Sequence, residues 1–290
     1  MHFDYAAAFS RNIGWVTMAE QLTLRTKRVG IAGMGGVGGL HLLTLARLGV
    51  GAFHIADFDT FEVANFNRQA GATISNLGRP KVDVLAEMAR DINPELNITR
   101  FADGVTADNL DAFLEGVDFY IDGLDFFAFR PRQQVFAACA QRGIPAVTAA
   151  PLGMGAAVLN FLPGGMTFED YFRLEDGPEA EMPVRFLLGL APARLQMGYL
   201  ADPSTVDLAN HKGPSTIMAC QLCAGVAATE ALKILLGRGP VRAAPRGYHF
   251  DAYQNKMALT WRPGGNRNPL QQLLMAIARK RLRRPFGVSN

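Results

Sequence analysis

Between a short apolar run and a leucine-rich stretch this chain places Gly33-Met34-Gly35-Gly36-Val37-Gly38, six residues of which four are glycine. No other feature restricts the fold as much. Glycines between a strand and a helix permit a tight turn and close packing, and they let backbone N–H groups approach a phosphate at the helix N-terminus. Asp57 follows nineteen residues after Gly38 and closes the next apolar run, where an acid can bind ribose hydroxyls. Apolar runs at 28–32, 52–56, 98–102, 119–121 and 146–149 alternate with helical spacing at 40–48, 81–91 and 133–141. That alternation predicts parallel βαβ units joined by right-handed crossovers. After Pro151 the grammar changes. Residues 152–163 read as an antiparallel strand or hairpin, and 167–212 as irregular chain with one helix around 184–200. A long helix at 215–236 and late strands within 248–259 follow. The expected fold class is α/β: a Rossmann-like, doubly wound, mostly parallel sheet with an antiparallel C-terminal extension.

Composition agrees with a packed protein. Of 290 residues, 49% are hydrophobic and 19% charged, which supports a full core and excludes a disordered chain. No window holds about 18 uninterrupted apolar residues; the nearest, 216–236, carries Gln221, Glu230 and Lys233. No membrane span is therefore expected. The first residues lack a basic start followed by an apolar run, so no secretory signal is expected either. Three cysteines, Cys139, Cys220 and Cys223, fit a reducing compartment, and a cytoplasmic location is expected. The net charge is +3, but residues 262–290 hold seven Lys or Arg and no acid, leaving 22 basic and 26 acidic residues elsewhere. A basic tail suits nucleic acid, or a membrane surface if 273–284 forms an amphipathic helix. The simpler reading is a terminal helix docked by Leu270, Leu273, Leu274 and Ile277, and it is preferred.

The glycine loop alone says nucleotide, with NAD the default. The next stretch argues for a triphosphate. Asp57-Phe58-Asp59 and Asn65-Phe66-Asn67-Arg68-Gln69 put acids, amides and an arginine beyond the second strand, and Gly78-Arg79-Pro80-Lys81 opens a helix with a lysine. A dinucleotide's two phosphates are already served by the loop and helix end, whereas β- and γ-phosphates need further cations. Either Arg68 or Lys81 alone would read as surface solvation. At the end of the fourth strand stands Asp122-Gly123-Leu124-Asp125, where parallel sheets place ligands. Asp125 can hold Mg²⁺, which takes one or two carboxylates plus phosphate oxygens; its ordinary alternative is capping the next helix.

Together these segments resemble the ubiquitin-activating-enzyme-like adenylyltransferases of the ThiF/MoeB/HesA type. The matching residues are Gly33 to Gly38, Leu45-Ala46-Arg47-Leu48-Gly49-Val50-Gly51, Asp57-Phe58-Asp59, Asn65, Arg68, Gln69, Gly78, Lys81, Asn93-Pro94, Asp122 and Asp125. A late stretch, 225–235 with Glu230, Ala231 and Lys233, is similar to the family's A-x-E-A-x-K helix. The resemblance covers 9–162 well and 213–260 loosely. Seven motifs in order are specific where each alone is weak. It implies that Gly33, Gly35, Gly36 and Gly38 cradle the ATP phosphates and that Asp57 holds the ribose. Asp59, Asn65, Arg68 and Lys81 would line the phosphate channel, and Asp125 would bind Mg²⁺. Phe9-Ser10-Arg11-Asn12-Ile13 is similar to the family's early arginine motif, so Arg11 would reach the ATP of a second copy in a homodimer. The implied organisation is one domain over 1–290. It comprises a nucleotide-binding half at 25–150, an acceptor-binding insertion and C-terminal half at 151–262, and a basic tail at 263–290.

The implied reaction is attack of a carboxylate on the α-phosphorus of ATP, giving an acyl adenylate and pyrophosphate. The expected substrate is the C-terminus of a small ubiquitin-like or sulfur-carrier protein. Three departures qualify this. Only Cys220-Gln221-Leu222-Cys223 stands where many relatives have two zinc-binding pairs, half a tetrahedral site even with His211 nearby, so buried core is expected. Residues 162–219 hold no cysteine for a thioester, and Cys139 reads as packing. Phe126 replaces the family's frequent Asn after the magnesium-binding Asp. The missing zinc pairs and loop cysteine resemble the tRNA threonylcarbamoyladenosine dehydratase branch, which the basic tail also suits, so tRNA is the alternative partner. An NAD(P)-dependent oxidoreductase and a non-catalytic nucleotide-binding scaffold remain as other classes.

Overall fold

The computed structural model describes residues 3–207 and 213–282. His211, Arg283 and Arg284 lie outside them. The N-terminal segment forms helix α1 (Tyr5–Ala8), capped by the Asp4 carboxylate, and α2 (Met18–Thr26), closed by a reciprocal Thr17–Glu20 capping box. Neither was expected from periodicity. Then come β1 (Arg28–Ala32), α3 (Gly38–Leu48), β2 (Ala52–Ala56), α4 (Lys81–Ile92) and β3 (Asn97–Phe101). The second run comprises α5 (Leu110–Leu114), β4 (Phe119–Asp122), α6 (Phe129–Arg142) and β5 (Ala146–Leu152). The remaining elements are β6 (Gly155–Phe161), α7 (Phe168–Phe172), α8 (Met182–Leu190), α9 (Ile217–Leu235), β7 (Arg246–Asp251), β8 (Lys256–Trp261) and α10 (Pro269–Leu282).

One sheet takes all eight strands in the order β3-β2-β1-β4-β5-β6-β7-β8. The first five are parallel, and β6, β7 and β8 add antiparallel, as the expected fold class requires. The crossovers through α3 and α4 run one way from β1, and that through α6 runs the other. Right-handed connections therefore put α3 and α4 on one face and α5 and α6 on the opposite one. Leu42, Leu45, Phe53, Ile55, Leu85 and Ala227 fill the first layer. The second is aromatic: Phe113, Tyr120, Phe136, Phe161, Phe168 and Phe172. α9 is long and apolar enough to cross a bilayer by composition, yet it lies across β5, β6 and α3. Its Glu230 is interior, accepting from Asn160 Nδ2 at 2.9 Å and Tyr248 Oη at 3.1 Å. The acid of the A-x-E-A-x-K motif thus ties α9 to β6 and β7.

Two expectations fail in the C-terminal half. The helix placed around 184–200 ends at Leu190, because Ala191 precedes Pro192, whose ring excludes the helical conformation from the residue before it; a short 3-10 turn, Leu195–Gly198, follows. The terminal helix does form, but Leu270, Leu273 and Ile277 are exposed. Of the expected docking residues only Leu274 packs inward, against Val184, Leu188 and Met275, and buried Gln271 and Met275 complete the contact. The Gln271 amide donates to the Leu188 carbonyl at 2.8 Å, and Arg279 forks onto both oxygens of Glu181.

Candidate functional site

The chain leaves β1 and β4, which lie side by side, toward opposite ends of the sheet. The crevice above their C-terminal ends is the switch point where such folds bind ligands. The four loop glycines divide into two jobs there. Gly33 has φ +87°, and a Cβ on it would overlap the Gly123 carbonyl, while one on Gly38 would overlap the Gly33 carbonyl. Gly33 lets the β1 and β4 loops pack together, and Gly38 lets the β1 loop close on itself. Gly35 lines the open side, where a Cβ would meet only Gln69 Nε2 at 3.8 Å, whereas a Cβ on Gly36 would crowd Cys220 Sγ at 3.1 Å and Arg68 Cγ at 3.3 Å. α3 starts behind Val37, which provides no side-chain cap. Its first-turn N–H groups and helix dipole therefore face the crevice without a side-chain acceptor, the requirement for holding an anion.

Around this loop the other expected residues gather. Asp57, at the end of β2, accepts from Met34 N at 2.6 Å and Asp59 N at 2.8 Å. Burial pushes its carboxyl above the usual range, against the pull of those N–H groups and of Lys81. Lys81 is the first residue of α4, only 5% exposed, and its Nζ meets Asp59 Oδ2 at 2.8 Å. Asn65 is turned to structural work, its Oδ1 accepting from Glu62 N at 3.0 Å. Arg68 bonds the Ala64 carbonyl and Asn67 Oδ1 and forms no ion pair with a carboxylate among the described residues. Asn67 in turn donates to the Ser215 carbonyl at 3.0 Å, bringing the start of α9 over the loop. Asp125 is exposed and accepts from Phe127 N at 2.9 Å. It does not cap α6, whose cap position is Ala128. Phe126 turns away into the aromatic layer, 5.3 Å from the Phe186 ring.

A family model answers to this arrangement: the ThiF family, matched over residues 9–272. The chain belongs to the ThiF family. Among curated proteins, the tRNA threonylcarbamoyladenosine dehydratase of Escherichia coli strain K12 is 40% identical over 123 residues, 42% of this chain and 46% of that protein. The sulfur carrier protein ThiS adenylyltransferase of the same organism is 30% identical over 148 residues, 51% of this chain and 58% of that one. This chain thus spans about half the length of the curated relatives it matches. The structure of the Escherichia coli dehydratase TcdA in complex with ATP aligns with a TM-score of 0.59 at 24% identity, covering 80% of this chain and 95% of that one. At that identity the likeness is one of fold.

Two ThiF-type expectations meet the geometry differently. Arg11 stands outside its own crevice. The neighbouring Asn12 donates to the Leu48 carbonyl at 3.2 Å, at the far end of α3, and eleven helical residues of about 1.5 Å rise each separate that point from the glycine loop. The cysteines stand as core. All three are free and buried, and among the described residues no three His, Cys, Asp or Glu side chains gather as a metal site. Burial pushes the Cys139 thiol up to about 12 and raises Cys220 and Cys223 as well, so thiolate is scarce at neutral pH. If the chain adenylates a carboxylate, replacing the three together by alanine should leave adenylate formation in place. A reductant-labile covalent adduct, seen by intact mass and lost with one cysteine, would contradict this.

Motif reading singled out neither Gln69 nor Arg132 as site residues. Gln69 Oε1 is buried without a hydrogen-bond partner while its amide nitrogen faces Gly35; its place beside Arg68 in the motif was the available signal. Arg132 announced itself only as a cation in the first turn of a helix.

Proposed function

We propose that this chain is an ATP-dependent adenylyltransferase that activates a carboxylate as an acyl adenylate. The carrying observation is the N-terminus of α3 without a side-chain cap, with Gly35 open toward Gln69 and Arg68 packed beside Gly36. That is a cradle for a polyphosphate, with Lys81 and Asp125 at its two flanks. Asp57 would orient the ribose while pinning the loop through Met34. Arg68 and Lys81 would neutralise β- and γ-phosphate oxygens, Lys81 exchanging its Asp59 partner for phosphate, with Asp59 and Asn65 shaping the channel. The carboxylate oxygen attacks the α-phosphorus, the bond to the bridging oxygen breaks, and pyrophosphate leaves. In-line positioning and charge neutralisation are what the protein contributes. Asp125, an exposed carboxylate with no cation paired to it among the described residues, suits Mg²⁺, which when bound spreads phosphate charge. Arg11 would complete the site of a second copy in a homodimer, since its own crevice lies beyond reach.

For the substrate, the weight moves from the carrier protein to tRNA. The dehydratase relative has the higher identity of the two compared, and the tail holds seven cations and no acid, a surplus that suits a polyanion even with Arg279 paired to Glu181 and Arg267 near Asp176. The reading is then activation of a carboxylate on a modified tRNA nucleoside, in a cytoplasmic setting. A carrier-protein C-terminus is the second reading, favoured by edge strand β8, whose Met257, Leu259 and Trp261 expose one apolar row to which a partner strand can add. Exchange of labelled pyrophosphate into ATP tests both. Exchange dependent on tRNA bearing threonylcarbamoyladenosine supports the first, and exchange dependent on a carrier ending in Gly-Gly supports the second. Turnover of NADH with no affinity for ATP would overturn the proposal.

A further inference from the structure

The Arg132 side chain is in an expensive place. It sits in the first turn of α6, where the helix dipole disfavours a cation, and it is only 2% exposed. Its guanidinium uses every donor direction. Nε donates to Asp122 Oδ2 at 2.8 Å. Nη1 donates to the carbonyls of Phe126 at 3.2 Å and Ala128 at 3.4 Å, and Nη2 to those of Leu124 and Asp125, each at 2.9 Å. Four carbonyls of one five-residue loop, 124–128, thus converge on one planar cation, and Asp125 lies within that loop. Asp122 anchors the other side: Oδ2 also accepts from Thr148 Oγ1 at 2.9 Å and Oδ1 from Leu124 N at 3.2 Å. The ring of Phe186, from α8, lies 4.7 Å from the guanidinium carbon. A cation held between a carboxylate and an aromatic face is fixed in plane as well as in position.

We infer that Arg132 is the positioning residue for the Asp125 loop. It holds the loop's carbonyls inward so that the Asp125 carboxylate faces the nucleotide crevice, with Phe186 of the insertion bracing the guanidinium. The inference rests on the reading of Asp125 as the Mg²⁺-binding group. Phe126 packs beside Phe186, their ring centroids 5.3 Å apart, and contributes a hydrophobic brace. Loop order here therefore comes from behind, through Arg132, and not from a polar neighbour of Asp125.

The test is equilibrium binding of ATP, by calorimetry on the full chain without acceptor, with and without Mg²⁺. The quantity read is the gain in affinity that Mg²⁺ confers. Arg132→Lys keeps the charge beside Asp122 but lacks the planar fork, and should cut that gain about tenfold while leaving Mg²⁺-free affinity unchanged. Thr148→Val removes a partner of Asp122 and none of the loop's bonds, so it should lower thermal stability without touching the gain. Should Arg132→Lys fail to fold, Phe186→Leu decides, since every hydrogen bond of Arg132 remains. The lost ring also packs against Phe126, Phe129, Phe168 and Phe172, so the variant is first shown to fold by thermal melting, and the gain should fall here too. If Asp125→Ala abolishes the gain while the folded Arg132 or Phe186 variant keeps it whole, the positioning role is overturned and the Asp125 reading survives. If the unmodified chain shows no gain, or Asp125→Ala leaves it intact, both fall.

Discussion

Asp125→Ala should abolish carboxylate-dependent pyrophosphate exchange and leave the thermal midpoint within about 2 °C of the unmodified protein. The two halves of that expectation come from one contrast. Asp122 and Asp125 stand three residues apart at the end of β4, yet Asp122 is buried and carries Arg132, Thr148 and the Leu124 N–H. Asp125 is exposed, and its carboxylate accepts from Phe127 N. Removing Asp122 would strand a buried cation, which is strongly destabilising. Removing Asp125 costs the fold one turn-stabilising bond. The expected loss of rate is about three orders of magnitude, by comparison with deleting a single preorganised group that stabilises transition-state charge. Asp125→Asn sharpens the measurement, because it keeps an acceptor for Phe127 N and removes only the charge; it should be nearly as inactive. An exchange rate within a few fold of the unmodified chain, in either variant, would remove Asp125 from the chemistry.

Central elements were the most legible from sequence. β1 and β2 occupy the same residues the apolar runs predicted, because parallel strands covered on both faces read as uninterrupted apolar segments ended by glycine or aspartate. α2 escaped notice for want of a strong apolar stripe, although Thr17 and Glu20 carry its capping signature. The insertion was the least legible. α8 and α10 pack through Gln271, Met275 and Asn266, and the Asn266 amide donates to the carbonyls of Phe172 and Arg185. Hydropathy assigns such residues to the surface and points to the leucines of α10 as its docking face, of which only Leu274 packs inward. At the site, charge type and spacing pointed to residues that the fold brings around the glycine loop. They did not reveal that Asp57 and Asn65 spend bonds on the backbone, or that Arg132 folds back on the loop before it. Those roles depend on where carbonyls point, which no residue pattern records.

An Arg11→Ala chain and an Asp125→Ala chain should each be inactive alone and should recover activity when mixed. Arg11 cannot serve its own crevice, being fixed beyond the C-terminal end of α3 through Asn12. Its surroundings suit a second copy: Ile13, Trp15, Met18 and Leu22 are exposed together, with Trp15 at 87%. Val63, Phe66 and Ile74 are exposed on the loops flanking Arg68. Under two-fold symmetry one patch meets the other twice, so each copy would lend its Arg11 region to the other's phosphate channel. Arginine fits that task because its planar, permanently charged fork can bridge two phosphate oxygens. After full exchange of equal amounts, half the dimers are mixed, and each mixed dimer has one site with both residues. Recovery should therefore approach about a quarter of unmodified activity. Arg11→Lys, charged but unable to bridge in plane, should restore less than Arg11 itself. A strict monomer by sedimentation, or no recovery despite proven subunit exchange, would rule out a shared site and leave Arg11 as an ordinary surface residue.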